Sequence, residues 1–97
     1  MEMKNKIKSL RLAEGLSQAQ FCEKIAIPLN ILKKYERGWI QLNFLSLIKV
    51  TQHPLFEKYT LWLMTEKTSE AAGQISPALS PNGQDDIFKL QITQAAG

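Results

Sequence analysis

Pro28 constrains this chain more than any other residue. Its ring fixes φ, removes the backbone N–H and pushes Ile27 out of the helical region. A helix arriving from the N-terminal side must therefore stop before it, while a new helix can begin at it. Apolar residues recur at helical spacing on both sides, as Phe21, Cys22 and Ile25 before the proline and as Ile31, Leu32 and Tyr35 after it. The spacing predicts two helices, Gln18 to Ile25 and Pro28 to about Arg37, joined by a turn of about three residues. Ser17 and Gln20 form a capping box at the start of the first, and Gly38 ends the second.

The same reading extends outward. Ile7, Leu10 and Leu12 among Lys4, Lys6, Lys8 and Arg11 predict a helix over Lys4 to Ala13 with a solvated basic side, stopped by Gly15. Asn43 caps a fourth helix, Phe44 to about Thr51, with Leu47, Ile48 and Val50 facing inward. Pro54 separates it from a fifth, Leu55 to about Met64, in which Phe56, Tyr59, Leu63 and either Leu61 or Trp62 pack inward. After Lys67 the text "SEAAGQISPALSPNGQDD" reads as a linker or tail. In the last segment Phe88, Leu90 and Ile92 alternate as in a strand, while Asp85 could equally cap a short helix, so a mobile arm is the default. The expected fold is all-α: a compact five-helix domain over residues 1–67 and a Pro/Ser/Gly-containing tail or dimer arm over 68–97.

Charge is distributed unevenly. Residues 1–50 carry nine Lys/Arg against four Glu, net +5, and residues 51–97 carry three against five acids, net −2. A basic half joined to an acidic half suits a nucleic-acid-binding face with a separate partner surface, although lysines gathered on one side by chance would look the same. The longest mostly apolar stretch, Trp39 to Ile48, is too short and polar to span a bilayer, and the N-terminus opens no secretory signal. The single Cys22 forms no internal disulfide, in keeping with a reducing, cytoplasmic setting.

Counted from Gln18 over twenty positions, small or apolar residues fall at the fourth (Phe21), fifth (Cys22), eighth (Ile25), tenth (Ile27), fifteenth (Leu32) and eighteenth (Tyr35). Two helices crossing over a tight turn need such a shared core, and the ninth residue, Ala26, must take a cramped or left-handed backbone where glycine is preferred. With "IKSLRLAEGLSQAQFCEKIAI", "KKYERG", "FLSLIKV" and "YTLWLMT" in register, the chain from roughly Ile7 to Thr65 resembles the helix-turn-helix proteins of the phage repressor and Cro type, the XRE family. That resemblance implies a transcriptional regulator, usually a homodimer on double-stranded operator DNA, with no catalysis, metal or cofactor.

Carried over by position, the resemblance makes Gln18 a phosphate or flanking-base contact. It makes Pro28, Leu29 and Asn30 the leading turn of a recognition helix in the major groove. Asn30 suits the adenine edge, Leu29 a thymine methyl group, and Lys33 and Lys34, one turn on, guanine or phosphate. Glu36 and Arg37 fit structural or phosphate contacts at the helix end. Leu61 and Trp62 are candidate dimer-interface residues, since whichever is surplus to the monomer core is available to a partner. Trp39 and Ile40 could serve a backbone contact, a dimer surface or the core, with core packing ranked first. A protein-interaction module, anti-repressor or antitoxin that engages a protein partner through its tail is the competing reading. Enzymatic readings find little: His53 has no ligand set in sequence and reads as solvated or capping, Cys22 has no identifiable base, and no Gly-rich phosphate loop is present.

Overall fold

The computed structural model describes residues 1–79. Five α-helices follow one another: α1 (Met3–Ala13), α2 (Gln18–Ile25), α3 (Leu29–Glu36), α4 (Phe44–Gln52) and α5 (Thr60–Thr65), with a 3-10 turn at Glu57–Tyr59 leading into α5. No strand lies among the described residues, and the all-α expectation holds. The expected caps form as well. Ser17 Oγ accepts from the Gln20 amide while Gln20 Oε1 accepts from the Ser17 amide, and Asn43 Oδ1 accepts from Ser46. Gly15 (φ +70) and Gly38 (φ +81) end α1 and α3 in the left-handed region.

The core gathers Ile7, Leu10 and Ala13 of α1, Phe21, Cys22 and Ile25 of α2, Leu32 and Tyr35 of α3, Val50 of α4, and Phe56, Tyr59, Trp62 and Leu63. The Phe21 and Phe56 rings meet in tilted contact with centroids 5.1 Å apart. Ala26, at the cramped position between α2 and α3, has φ 56° and ψ 53°, and the amides of Ala26 and Ile27 both donate to the carbonyl of Cys22. The turn is thus as tight as the spacing requires.

Several details differ from the sequence reading. Pro28 caps α3 (φ −65°, ψ 140°) without entering it, because its carbonyl is already accepting from Ile31 and Leu32 while its own backbone stays extended. The fifth helix is shorter than expected: Tyr59 sits at φ −100°, ψ 1°, off the α region, so regular geometry starts only at Thr60. Of the three inward residues expected in α4, Val50 is fully buried while Leu47 and Ile48 are half-buried. Lys6 and Arg11, read as part of a solvated basic side, are buried.

Of Leu61 and Trp62, the structure makes Trp62 the inward one: it is 7% exposed, with the Lys6 ammonium 6.0 Å from its ring centroid, so it belongs to the monomer core and drops out as a dimer-interface candidate. Leu61 is half-buried, and its amide donates to the side chain of Gln74. Trp39, ranked first as core, is 66% exposed because Gly38 turns the chain outward after α3.

The folded unit continues past Lys67, where composition suggested a linker. Ser69 and Gln74 exchange backbone hydrogen bonds of 2.9 Å, Gln74 Nε2 donates to the Glu57 carbonyl, and the Ile75 amide donates to the Lys58 carbonyl. Pro77 is buried, and the 3-10 turn Pro77–Leu79 packs against α1. Segments rich in small residues escape periodicity rules because single side chains, here Gln74, Ile75 and Pro77, make the attachment. The expected arm with Phe88, Leu90 and Ile92 lies outside the described residues. Ending the chain after Lys67 is expected to cost about 2–4 kcal/mol through the lost Ile75 and Pro77 packing, a fall in Tm of at least about 10 °C. Thermal melting coincident with that of the full chain would contradict this attachment.

Candidate nucleic-acid interface

The inner face of α3 is held by Leu32 (0% exposed) and Tyr35 (4%), which lock the helix against the core. Its outer face carries Leu29, Asn30, Lys33 and Lys34, continued by Pro28 before the helix and Arg37 after it, all exposed. Asn30 lies one turn from Lys33 and Lys34, and Lys33 one turn from Arg37, so these polar groups form a single stripe. Among the described residues none of the three cations forms an ion pair; the Arg37 guanidinium lies 5.0 Å from the centroid of the Trp39 ring. The stripe is a cationic surface with one amide in its leading turn.

A buried network sets the orientation of that stripe. Arg11 of α1 donates from Nε to Glu36 Oε2 (3.0 Å) and from Nη2 to Oε1 (3.1 Å), while Nη1 reaches the Leu16 carbonyl at 2.8 Å. Both side chains of the pair are 7% exposed. Gln18, at the start of α2, donates from Nε2 to the same Glu36 Oε1 at 3.0 Å. The last residue of α3 is thereby tied to α1, to the α1–α2 loop and to the first residue of α2. A planar, two-point Arg–carboxylate contact fixes direction as well as distance.

The structure thus brings Pro28, Leu29, Asn30, Lys33, Lys34 and Arg37 onto one surface and places Gln18 at its border, half-buried, with one amide N–H committed to Glu36. Glu36 takes the structural role expected of it. Arg11, expected on a solvated side of α1, is the member of this network that the sequence did not place. The available signal was a lone acid within "KKYERG", which a distant buried cation must answer.

Other polar groups near α3 have structural roles. Burial, with a smaller effect of Glu36, pushes the Tyr35 hydroxyl up to about 12, and this hydroxyl has no hydrogen-bond partner among the described residues. The Cys22 thiol is likewise raised by burial, then by Glu36, with Arg11 opposing, and its Sγ lies 3.8 Å from the Pro28 carbonyl; a thiol so placed is a poor nucleophile. His53 accepts from the Leu55 amide through Nδ1 at 3.1 Å, a local capping contact. Among the described residues no group of His, Cys, Asp and Glu is arranged to hold a metal ion, and no helix is long and apolar enough to cross a membrane.

The domain is all-helical, buries one face of a short helix that follows a tight turn, and displays a cationic stripe on the other face. No family model matches the chain. It is 36% identical over 92 residues to Repressor protein C of Escherichia phage P2, covering 95% of this chain and 93% of that protein. The chain belongs to the family of that phage repressor.

Replacing Glu36 with Ala leaves Arg11 charged and unpaired in the interior and is expected to cost about 3–5 kcal/mol in urea unfolding; a loss below about 1 kcal/mol, the range of a surface pair, would show the network to be weak. Tyr35 gives a separate test. Its pKa is about 10.0 unfolded and about 12 folded, so above pH 10 the unfolded chain sheds a proton that the folded one keeps, and stability falls as pH rises through about 12. That slope is at most ~1.4 kcal/mol per pH unit. Tyr35→Phe loses no bond at pH 8 and is expected to gain relative to wild type at pH 11; an unchanged difference between the two pH values would refute the linkage.

Proposed function

We propose that this protein is a transcriptional repressor of the phage repressor and Cro type, the XRE family, acting in the cytoplasm without catalysis or a cofactor. It binds operator DNA as a homodimer, with α3 in the major groove. The observation that carries this reading is the division of α3: one face is locked by Leu32, Tyr35 and the Arg11–Glu36 pair, and the other exposes Leu29, Asn30, Lys33 and Lys34. Kinship with a phage repressor supports the same reading.

The chemistry divides between affinity and readout. Lys33, Lys34 and Arg37 neutralise phosphates, which supplies sequence-independent affinity and a steep dependence on salt. Asn30 offers donor and acceptor to adenine N7 and N6, while Leu29 meets a thymine methyl group. Gln18 borders a phosphate with its remaining N–H, at the positive N-terminal end of α2. One eight-residue helix spans few base pairs, so two copies related by a twofold axis give the site its length.

The alternative, a protein-interaction module, draws on one observation: Trp39, Phe44 and Leu45 are 66%, 73% and 69% exposed, an apolar surface that a protein partner would cover. Selecting duplexes from a random pool, then titrating the selected duplex at several salt concentrations, separates the two readings. The repressor reading predicts log K falling with log salt by about 0.9 for each phosphate neutralised. Asn30→Ala should cost roughly 1–3 kcal/mol and relax preference at one base pair. Absence of salt-dependent binding to any duplex at micromolar protein would favour the interaction module.

A further inference from the structure

Lys49 belongs to the basic half of the chain, where its charge would ordinarily be counted toward DNA, yet the fold gives its ammonium a different partner. Nζ lies 3.2 Å from the carbonyl oxygen of Ala26, across the gap between α4 and the α2–α3 turn. That carbonyl belongs to the residue in the left-handed conformation, φ 56° and ψ 53°, which L side chains adopt at a cost. The donor side of the turn is already committed, since the Ala26 and Ile27 amides converge on the Cys22 carbonyl and Pro28 has no N–H. The Ala26 oxygen is therefore served from outside the turn, and among the described residues Lys49 is the donor that reaches it. A cation there also meets the negative C-terminal end of α2.

The position of this contact gives it a consequence for α3. Leu29, the first residue of α3, follows Ala26 by only two intervening residues, and a small change of torsion at Ala26 or Ile27 swings the whole helix. The Arg11–Glu36 pair holds the far end of α3, and Lys49 holds the turn before its near end. We infer that Lys49 is a positioning residue for the recognition helix, clamping the strained turn through the Ala26 carbonyl and thereby setting the angle at which α3 is presented. The inference rests on the reading of α3 as the DNA-contacting helix, but its first readout does not.

Hydrogen exchange in the DNA-free protein tests the clamp itself. Lys49→Met should accelerate exchange at the Ala26 and Ile27 amides by about three- to tenfold while leaving core amides of α1 unchanged; equal exchange at the turn overturns the inference. On the selected duplex, Lys49→Met should weaken binding about three- to tenfold with the salt slope of wild type. Ala26→Gly removes the cost of the left-handed backbone, so the Ala26→Gly/Lys49→Met pair should lose less relative to Ala26→Gly than Lys49→Met loses relative to wild type. A slope shallower by about 0.9 would make Lys49 a phosphate contact and overturn the inference, as would a loss that Ala26→Gly leaves undiminished. If wild type binds no duplex, the repressor reading fails while the exchange result still decides the clamp.

Discussion

The two-point contact between Arg11 and Glu36 is the interaction on which the arrangement of the first three helices depends. Each partner is nearly buried, so each would be costly alone, and the pair is tolerable only because its geometry is planar and its remaining polar atoms are met by Leu16 and Gln18. The contact stabilises less by its gross attraction than by making other helix orientations expensive: any rotation of α3 that separates the forks leaves a charge in the interior. Apolar packing of Leu32 and Tyr35 brings α3 to the core, but such packing is tolerant of rotation. The pair supplies the direction.

That division of labour shapes the outer face. With its inner face and C-terminal end fixed, α3 can display cations and a leading apolar residue without needing them for stability. In the proposed repressor reading its base readers are few: Asn30 is the amide of the stripe and Leu29 would contribute a methyl contact, so discrimination would depend on thymine methyl groups and duplex deformability as much as on hydrogen bonds, with the lysines adding affinity.

Surfaces away from α3 are reorganised by the chain that follows α5. Gln74 bonds to the amide of Leu61 and to the carbonyl of Glu57, Ile75 to Lys58, and Pro77 is buried at α1. Together with the burial of Trp62, this removes part of the α5 surface from contact with other molecules and makes residues 69–79 part of the domain. The most exposed large apolar residues lie after α3 and at the start of α4, as Trp39, Phe44 and Leu45, while Met64 of α5 also remains exposed.

By itself the sequence determined the helices and the turn, because these depend on local physics. Pro28 forbids continuation, Gly15 and Gly38 accept positive φ, Ser17 and Asn43 cap, and apolar spacing marks the faces of α2 and α3. It also determined which α3 residues share the outer stripe, since a period of 3.6 residues fixes that once the buried side is known. Only the tertiary structure decided which charges are interior and which partner each one meets. Lys6, Arg11 and Lys49 look alike in sequence as members of a basic half, yet the first lies against Trp62, the second within the Glu36 fork and the third at the Ala26 carbonyl. The fates of Trp39, Trp62 and the segment after Lys67 were decided at the same level. The physical reason is that burial and pairing are properties of residues distant in the chain: a lysine's own neighbours say nothing about the carbonyl or carboxylate that another helix will bring to it.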